Sequence, residues 1–581
     1  MVLLSLLPQI QLWIARGKDW NGAFTTLHGD ESVYSAYTNA LINGRSRRYD
    51  PFTGQDKNAG LPESTFSIQF IPGYAVSYLA RLTGTSASTA FIILLGLAGL
   101  LASLSVFWLL NSLGCEPRIS AVGTLFVLCF GGLAGGQGLL GILTKSSLLV
   151  PGFPFLRRYQ PAAAFSLFFV FNLLVWQALT VQDKRAARIR ALLAGVVLGV
   201  LVFCYFYLWT AALAWLFCIG LLWVLFRSSE WRRVLSVLIT IGAIAAIALG
   251  PYLYLVSHRA ANLDEQQSLI STHRPDLLRI PEILGAIILI VIAMAVRRKK
   301  INSQLIFTAS LALLPFAVFN QQIITGRIMQ PYHYEVFILN YSVLVAVVIA
   351  VALLRNPVPR RLLISIATLS IVWGIIEVGV PARLTFVPSA ITNDRMVPVF
   401  LRLNELSKVD GTFADSRTSP LVFSPYIAVN SWLPTWSSQG TLLDIGGLDL
   451  GHISREERKE FLYMHLYYSK VDGSALRRLD GTSRDVGLKY ARAAIFGHER
   501  IIPGMTLNFE PIKDEEIEAA IRDYQAYVDS FSRDEARKRP LAYAVVLADD
   551  NFDFTNLDRW YERDSGERVG DYVLYKLRLR D

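Results

Sequence analysis

Residues 29–34 read Gly-Asp-Glu-Ser-Val-Tyr and follow a short apolar stretch, residues 1–13, at the start of the chain. The adjacent carboxylates Asp30 and Glu31 lie so close to an apolar segment that they indicate chemistry at a membrane surface. The alternative is that the pair begins a helix, since Asp and Glu are favoured in a helix's first turn. The remaining sequence bears on both interpretations.

Long apolar runs divide the 581 residues into two regions. Hydrophobic residues make up 53% of the chain and its mean hydropathy is +0.39, whereas soluble domains are about 45–50% apolar. Residues 1–381 hold the apolar runs and residues 382–581 have the charge density of a soluble domain. The predicted fold class is a polytopic α-helical membrane protein of about eleven transmembrane helices with a C-terminal α/β or α+β soluble domain.

The candidate transmembrane helices cover residues 2–15, 87–112, 119–143, 161–180, 191–207, 209–226, 234–256, 281–296, 304–320, 336–354 and 361–380. The first is expected to be a retained helix, because it lacks the basic start and small-residue cleavage site of a signal peptide. The run 191–226 is divided near residues 205–209, whose aromatic side chains suit a membrane interface. Residues 66–82 are assigned to the interface as an amphipathic or re-entrant helix.

Clusters of basic residues set the orientation. They lie at 184–190, 227–233, 297–300 and 355–361. All of them fall on one side if the spans alternate, and the positive-inside rule makes that side cytoplasmic. The first loop, 16–86, the later loops 144–160, 257–280 and 321–335, and the domain 382–581 are therefore expected outside the cytoplasm. This arrangement predicts an integral protein of a bacterial inner membrane.

Several classes of function find no support in the sequence. There is no Walker A motif and no Rossmann glycine fingerprint, so no nucleotide cofactor is expected. The net charge of +10 comes partly from the orientation clusters, so nucleic acid is not an expected partner. The glycine-rich run 131–136 has the spacing of close helix packing. No Cys or His spacing is typical of a metal site, so no metal ligand is assigned, and a requirement for a divalent metal stays open.

The region 382–581 mixes helix and strand patterns. Residues 514–532 have helical apolar spacing with an acidic start. Residues 541–547, 570–577 and 412–415 have the patterns of strands. No catalytic set of residues occurs in this region, so the domain is expected to guide acceptors or to cover a site at the membrane.

Polar side chains gather in the predicted outer loops. A connector between two helices needs only a few turn residues, so amide, Arg and His side chains there indicate a surface that binds polar or phosphorylated groups. The alternative is a solvated loop with snorkelling side chains. The candidate binding residues are Tyr34, Arg158, Arg327, Gln330 and His333.

Carboxylate, guanidinium and imidazole groups on one side of a membrane suit the transfer of a sugar from a lipid phosphate. The carboxylate takes the proton from the acceptor hydroxyl, and fixed cations or a metal neutralise the departing phosphate. An Arg side chain matches phosphate geometry better than a Lys. No nucleotide sugar is supplied outside the cytoplasm, so the expected donor is a polyprenyl-phosphate sugar in the membrane lipid. The expected acceptor is a glycan, a lipid or a protein.

The chain resembles the GT-C fold glycosyltransferases, the polytopic class that includes protein mannosyltransferases and bacterial lipid A aminoarabinose transferases. The resemblance rests on the acidic pair in a long first outer loop and on a helix ending Arg81-Leu82-Thr83-Gly84 in that loop. About eleven spans and a closing soluble domain complete the pattern. The resemblance implies that Asp30 is the catalytic general base, with Glu31 beside it, and that Arg158 and Arg327 bind the donor phosphate.

The sequence departs from protein mannosyltransferases after the acidic pair, where Tyr34 and Tyr37 stand in place of a His. The resemblance therefore supports the class of enzyme and not protein O-mannosylation. Two other classes of function stay open. A transporter or flippase of a lipid-linked solute would carry ionisable residues near mid-membrane, often in two related halves. A non-catalytic scaffold for envelope assembly would use Asp30 only at the start of a helix.

Overall fold

Contacts within the chain divide the protein into two compact units, each built from separate stretches of sequence. The computed structural model describes residues 1–55, 60–134, 153–261, 263–267, 269–296, 301–355, 357–410, 420–443, 453–479, 491, 494–497, 500 and 510–581. The first unit, which we call the helical unit, comprises Met1–Ala15, Phe91–Tyr254 and Ser271–Pro388. The second, which we call the mixed unit, comprises Arg16–Ala90, Leu255–Ile270 and Ser389–Asp581.

Long apolar helices make up most of the helical unit. They span Val2–Arg16, Ala87–Ser112, Pro117–Ala134, Ala162–Thr180, Lys184–Val202, Phe206–Phe226, Trp231–Ser257, Ile280–Val296, Ser303–Asn320, Asn340–Leu354 and Arg360–Pro381. Each overlaps the corresponding predicted span. In the part of the chain that the structure describes, seven helices are long and apolar enough to cross a membrane, and Pro117–Leu133 and Ile280–Val296 are shorter apolar helices. Helices pair their backbone amides internally, which hydrocarbon requires, so the chain is a polytopic membrane protein.

The predicted interruption of the run 191–226 is confirmed, because one helix ends at Val202 and the next begins at Phe206. The first of these helices begins earlier than predicted, at Lys184, so the basic residues 184–190 lie in its first turns. The Asp183 side chain accepts hydrogen bonds from the backbone N–H groups of Arg185 and Ala186 and so caps the helix. The basic cluster 297–300 and the end of the predicted span 119–143 lie outside the described residues.

Small residues allow close helix contacts in the helical unit. A Cβ atom added at Gly131 would overlap the ring of Tyr341. A Cβ atom at Gly374 would lie 3.0 Å from the Sγ atom of Cys129. Small residues commonly let membrane helices approach each other, so the predicted packing role of the run 131–136 is confirmed at Gly131. Residues 135 and 136 lie outside the described part of the chain.

The predicted outer loop 321–335 consists mainly of short regular elements. It holds the helix Gln322–Thr325, the strand Arg327–Met329 and the helix Pro331–Tyr334. The backbone then forms a π-helical turn over Glu335–Leu339 before the helix Asn340–Leu354 begins. A second π-helical turn, Ala382–Phe386, follows the helix Arg360–Pro381. The remaining short elements are Gly17–Asp19, Pro154–Leu156, Ser228–Glu230, Leu263–Gln266 and Leu269–Ser271.

A mixed sheet with packed helices forms the C-terminal part of the mixed unit. The strands are Leu421–Phe423, Leu541–Leu547, Tyr561–Arg563, Glu567–Val569 and Tyr572–Leu579. Strand 421–423 runs parallel to strand 541–547. Strand 572–579 pairs antiparallel with strands 541–547, 561–563 and 567–569. The helices are Val387–Val409, Ile427–Trp436, Arg455–Tyr468, Gly473–Leu479, Asp514–Ser530, Arg533–Lys538 and Thr555–Asp558. The α+β prediction is confirmed, although the predicted strand 412–415 lies outside the described residues.

The first loop packs against the C-terminal segment within the mixed unit. Its helices are Asp30–Ile42, Thr65–Ile68 and Ile71–Thr83. The Ser35 Oγ atom lies 2.7 Å from Thr435 Oγ1, and the Asn39 side chain donates to the carbonyl of Pro434 at 3.0 Å. The sequence assigns this loop to a module of residues 1–381, whereas its contacts group it with residues 389–581. The placement of both segments outside the cytoplasm stays a prediction.

The helix Ile71–Thr83 has two different faces. Val76 and Ala80 are buried, whereas Tyr78, Leu79 and Leu82 are largely exposed. The predicted helical conformation of residues 66–82 is therefore confirmed for most of the stretch, and its position at a membrane interface stays a prediction. A helix with exposed apolar side chains on one face suits that position.

A buried carboxylate anchors the start of the first loop. Asp394, in the helix Val387–Val409, has a fully buried side chain. It accepts hydrogen bonds from Arg16 Nε at 2.8 Å and from the backbone N–H groups of Asn21 and Ala23 at 3.0 Å each. The Asn21 side chain also donates to the Asp394 carbonyl at 3.1 Å. These bonds fix residues 16–23 to the helix, because a buried carboxylate is costly unless several donors compensate it.

Replacing Asp394 with Ala is expected to destabilise the mixed unit by roughly 3 kcal/mol, because Arg16 and two backbone N–H groups lose their acceptor. Thermal unfolding of the full-length protein in detergent measures the change. Asp534→Asn is the matched control, since Asp534 is 90% exposed and its replacement is expected to change stability by less than about 0.5 kcal/mol. Equal unfolding temperatures for the two variants would contradict the anchoring role.

His465 is a buried titratable residue in the helix Arg455–Tyr468. Its Nε2–H group donates to the carbonyl of Ser424 at 2.9 Å, and its side chain contacts the ring of Phe423. Burial lowers the pKa of His465 to about 4, against an opposing effect of the hydrogen bond to Ser424. The folded protein therefore holds this imidazole in its neutral form.

The pKa of His465 predicts that stability falls as the pH is lowered from about 6.5 to about 4, because in this window the unfolded chain binds a proton that the folded chain does not. His465→Gln keeps a donor for Ser424 and removes the titration. Its unfolding temperature is expected to fall less steeply than that of the wild type over this window, and both proteins should respond alike above pH 7. Parallel profiles at all pH values would refute the assignment.

Candidate active site

Asp30 is the first residue of the helix Asp30–Ile42, whose N-cap is Gly29. Its side chain is 27% exposed, and its Oδ1 atom lies 3.5 Å from Nδ1 of His28. The positive end of the helix dipole favours a negative charge at this position. The structure therefore agrees with the predicted helix start and also leaves a partly exposed carboxylate that can accept a proton.

Glu31 differs from its neighbour in its surroundings. Its side chain is fully buried, and its Oε2 atom accepts a hydrogen bond from the backbone N–H of Leu27 at 2.8 Å. This bond ties the loop before the helix to the first helical turn. A structural function accounts for these contacts, and the predicted catalytic role of Glu31 stays a prediction.

Tyr34 packs in the interior of the mixed unit. Its ring is 3% exposed and makes an edge contact with Phe66, with ring centroids 5.4 Å apart. Tyr37 stacks on the same ring, with its centroid 4.1 Å from that of Phe66. Tyr34 and Tyr37 thus hold the helices Asp30–Ile42 and Thr65–Ile68 together.

An ion pair between Arg47 and Glu63 restrains a later part of the first loop. The guanidinium of Arg47 donates to both carboxylate oxygens of Glu63, at 2.6 and 2.8 Å, and Ser67 Oγ donates to Glu63 Oε2 at 2.5 Å. The backbone N–H of Glu63 donates to the carbonyl of His258 at 2.9 Å. The loop that carries Asp30 is therefore restrained near residue 63 as well as at residues 16–23.

Two buried arginines lie before the helix Ala162–Thr180 in the helical unit. Arg158 is fully buried, donates to the carbonyl of Phe91 at 3.3 Å and lies over the Phe91 ring. Arg157 is 6% exposed, and its Nη1 atom lies 3.5 Å from the hydroxyl oxygen of Tyr205. Its guanidinium also lies 5.2 Å from the ring centroid of Phe337. Buried guanidinium groups held in this way are fixed positive charges.

Gln330 and His333 converge on Tyr207. The Tyr207 hydroxyl donates to Gln330 Oε1 at 3.0 Å, and the His333 ring lies edge-on to the Tyr207 ring at 4.6 Å. His333 also contacts Phe337 at 5.2 Å, which brings it to the same aromatic ring as Arg157. The structure thus brings Gln330 and His333 together and joins them to a buried cation of the helical unit.

Arg327 occupies a different environment. It begins the strand Arg327–Met329 and is exposed. Its backbone is fixed, because the carbonyl of Arg327 accepts a hydrogen bond from the Gln321 side chain at 2.8 Å. Among the described residues its guanidinium has no hydrogen-bond or ion-pair partner, so an anion from solution can reach it.

From the sequence, Arg158 was assigned to the donor phosphate, whereas its neighbour Arg157 and the aromatic residues Tyr205 and Tyr207 were given no role in the site. The pair Arg157-Arg158 in the sequence was a signal for a role of both residues, because both stand next to the predicted span 161–180. The two Tyr residues were interpreted as interface aromatics at the break in the run 191–226, and only the structure places them against Arg157 and Gln330. The π-helical turn at Glu335–Leu339, which positions Phe337, has no sequence signature.

Within the described ranges no three His, Cys, Asp or Glu side chains form a group that could hold a metal ion. Asp264, which lies near His258 in sequence, forms an ion pair with Arg259, with Nη2 and Oδ2 2.7 Å apart. His273 contacts the carbonyl of Ile323 at 3.1 Å.

No protein-family model matches the sequence, and no curated protein matches it significantly. Among solved structures, the arabinofuranosyltransferase AftD from Mycobacteria is similar, with a TM-score of 0.50 and 11% identity over 100% of this chain and 40% of AftD. ArnT from Cupriavidus metallidurans has a TM-score of 0.43 with 14% identity over 99% of this chain and 97% of ArnT. The oligosaccharyltransferase from Archaeoglobus fulgidus has a TM-score of 0.46 with 10% identity over 94% and 68% of the two chains.

The similarity to AftD shows the fold, although this chain spans only 40% of the AftD chain. The protein is a polytopic membrane protein with the GT-C fold, as the resemblance of its sequence implies. The prediction of this fold is therefore confirmed.

Proposed function

We propose that the protein is a membrane glycosyltransferase that moves a sugar from a polyprenyl-phosphate donor to an acceptor at the extracytoplasmic face. The GT-C fold supports this class, since AftD is an arabinofuranosyltransferase. The observation that carries the proposal is the difference within the acidic pair. Glu31 is buried and bonded to Leu27, whereas the Asp30 side chain at the helix start keeps 27% of its surface exposed.

In the proposed reaction, Asp30 is the general base. The acceptor hydroxyl oxygen attacks the anomeric carbon of the donor while the carboxylate takes the hydroxyl proton. The bond between the anomeric carbon and the phosphate oxygen breaks as the new carbon–oxygen bond forms, and the polyprenyl phosphate leaves with the electron pair. The leaving phosphate gains negative charge, which fixed cations stabilise.

Arg158 and Arg327 are the proposed ligands of the donor phosphate. Arg158 is fully buried and held by the Phe91 carbonyl, so its charge needs no rearrangement during the reaction. The exposed guanidinium of Arg327 is available to an incoming anion. A divalent metal stays open as a further source of positive charge.

Gln330, His333 and Tyr34 are the proposed substrate contacts. The shared contacts of Gln330 and His333 with Tyr207 support a common surface for polar groups of the sugar. Tyr34 has weaker support, because its ring is 3% exposed and packs on Phe66. The proposed acceptor is a glycan, a lipid or a protein.

The proposed location is a bacterial inner membrane with the C-terminal segment outside the cytoplasm. The basic residues at 184–190, 227–233 and 355–361 support this orientation through the positive-inside rule. This location suits a lipid-phosphate donor, because the lipid part of such a donor keeps the activated sugar at the membrane.

Asp30→Asn is expected to lower the rate of sugar transfer by at least about 10²-fold, because the amide cannot take the acceptor's proton. The assay follows the release of polyprenyl phosphate from a panel of polyprenyl-phosphate sugars by the purified protein in detergent. Asp19→Asn is the matched control, since Asp19 is an exposed acid of the same loop. Undiminished turnover of the Asp30 variant, with the wild type active, would reject Asp30 as the base.

Arg327→Ala is expected to raise the apparent KM for the donor about tenfold while changing the acceptor KM less than about twofold, since the guanidinium is proposed to bind only the phosphate. Arg188→Ala is the control, because Arg188 is an exposed Arg of the helix Lys184–Val202 on the opposite predicted side of the membrane. An unchanged donor KM for Arg327→Ala would remove this residue from the site.

A further inference from the structure

We propose that residues 271–279 form a brace that fixes the segment 320–335, and that Arg279 is a positioning residue for the donor site. The segment 320–335 carries Arg327, Gln330 and His333, so the consequence for donor binding rests on the proposed function. The brace consists of contacts within the helical unit, so its existence can be tested without an assay of sugar transfer.

A ladder of hydrogen bonds joins the brace to the first part of this segment. The partners run in opposite directions along the two stretches, so that later residues of the brace meet earlier residues of the segment. The bonds are Thr272 N to Gly326 O at 3.0 Å, His273 Nδ1 to Ile323 O at 3.1 Å, Gln322 Nε2 to Arg274 O at 3.0 Å, Asp276 N to Asn320 Oδ1 at 3.1 Å and Asn320 Nδ2 to Asp276 O at 3.2 Å.

Arg279 completes the brace at its far end. Its Nε atom donates to Asp276 Oδ2 and its Nη1 atom donates to Glu335 Oε2, each at 2.7 Å. The guanidinium also lies 4.8 Å from the ring centroid of Phe319. Arg279 therefore links the brace, the end of the helix Ser303–Asn320 and the residue Glu335. The charge-assisted bonds are strengthened by partial burial, since the Glu335 side chain is 15% exposed.

Glu335 connects Arg279 to the residues of the candidate site. It is the first residue of the π-helical turn Glu335–Leu339, which carries Phe337 into contact with Arg157 and His333. Extra-residue turns of this kind frequently occur at functional sites. The ladder fixes residues 320–326 and Arg279 fixes residue 335, so the stretch with Arg327, Gln330 and His333 is held at both ends.

The brace also helps to hold the backbone of Gln330 in an unfavourable conformation. Gln330 has φ +37° and ψ +68°, the left-handed conformation that is unfavourable for a residue with a Cβ atom. Such a conformation persists only where the surrounding contacts impose it. The bond from Tyr207 to the Gln330 side chain and the restraints at both ends of the segment supply these contacts.

The test uses Arg279→Gln in the full-length protein, with Arg259→Gln as the matched control. Arg259 forms a similar two-bond pair with Asp264, at 2.7 and 3.0 Å, but belongs to the mixed unit. Hydrogen–deuterium exchange of residues 320–335 reports the brace. Equilibrium binding of farnesyl phosphate in detergent, with farnesol as the phosphate-free probe, reports the donor site.

Arg279→Gln is expected to speed amide exchange in residues 320–335 and to weaken farnesyl phosphate binding about tenfold, because misplaced ligands bind a phosphate poorly. Farnesol binding and the Arg259→Gln control should change less than about twofold. Arg279→Lys should recover part of the affinity. The double variant Arg279→Gln, Glu335→Gln should bind no more weakly than the single variant, since both replacements break one linkage.

Unchanged exchange in residues 320–335 would overturn the brace. Faster exchange with unchanged farnesyl phosphate binding would overturn the positioning role of Arg279. An additive loss in the double variant would show that Arg279 does not act through Glu335 and would overturn the linkage. Absence of sugar transfer by the wild type would count against the proposed function alone, and exchange and binding would still decide the brace.

Discussion

The buried carboxylate of Asp394 is the interaction on which the arrangement of the first loop depends. It gathers Arg16, Asn21 and Ala23 onto a helix that lies far away in sequence. Without such an acceptor, the polar backbone at the entry of the loop would have to be satisfied by solvent. The pair Arg47–Glu63 restrains the loop further along. The helix that begins with Asp30 lies between these two anchors, so its carboxylate has a fixed position within the mixed unit.

The helical unit holds two cationic side chains close to apolar helices. Arg157 and Arg158 are almost completely buried. The guanidinium of Arg157 lies over the ring of Phe337, and that of Arg158 lies over the ring of Phe91 and donates to the Phe91 carbonyl. The face of an aromatic ring carries partial negative charge, which stabilises a guanidinium close to it.

Periodicity and hydrophobicity predicted the elements whose formation is decided locally. The apolar runs predicted the membrane helices, and the aromatic cluster near Tyr205 predicted the interruption of the run 191–226. A short apolar run predicted the strand at 541, and alternation predicted the strand at 572. The acidic pair predicted the start of a helix at Asp30. These features depend on residues within one or two turns of each other.

Features that depend on distant partners were not predicted. The grouping of residues 16–90 with residues 389–581 depends on Asp394 and on contacts such as Ser35 with Thr435, which leave no periodic trace. The π-helical turn at Glu335 inserts one residue into a helix whose composition is ordinary.

The discontinuous make-up of the mixed unit has a consequence for biosynthesis. Its first stretch, Arg16–Ala90, is translated before most of the helical unit, and its packing partner, Ser389–Asp581, is translated after it. The nascent loop must therefore wait, without its final acceptor at Asp394, while the intervening helices are inserted. A fragment that starts at residue 389 would expose the helix Ile427–Trp436 where Asp30–Ile42 normally covers it.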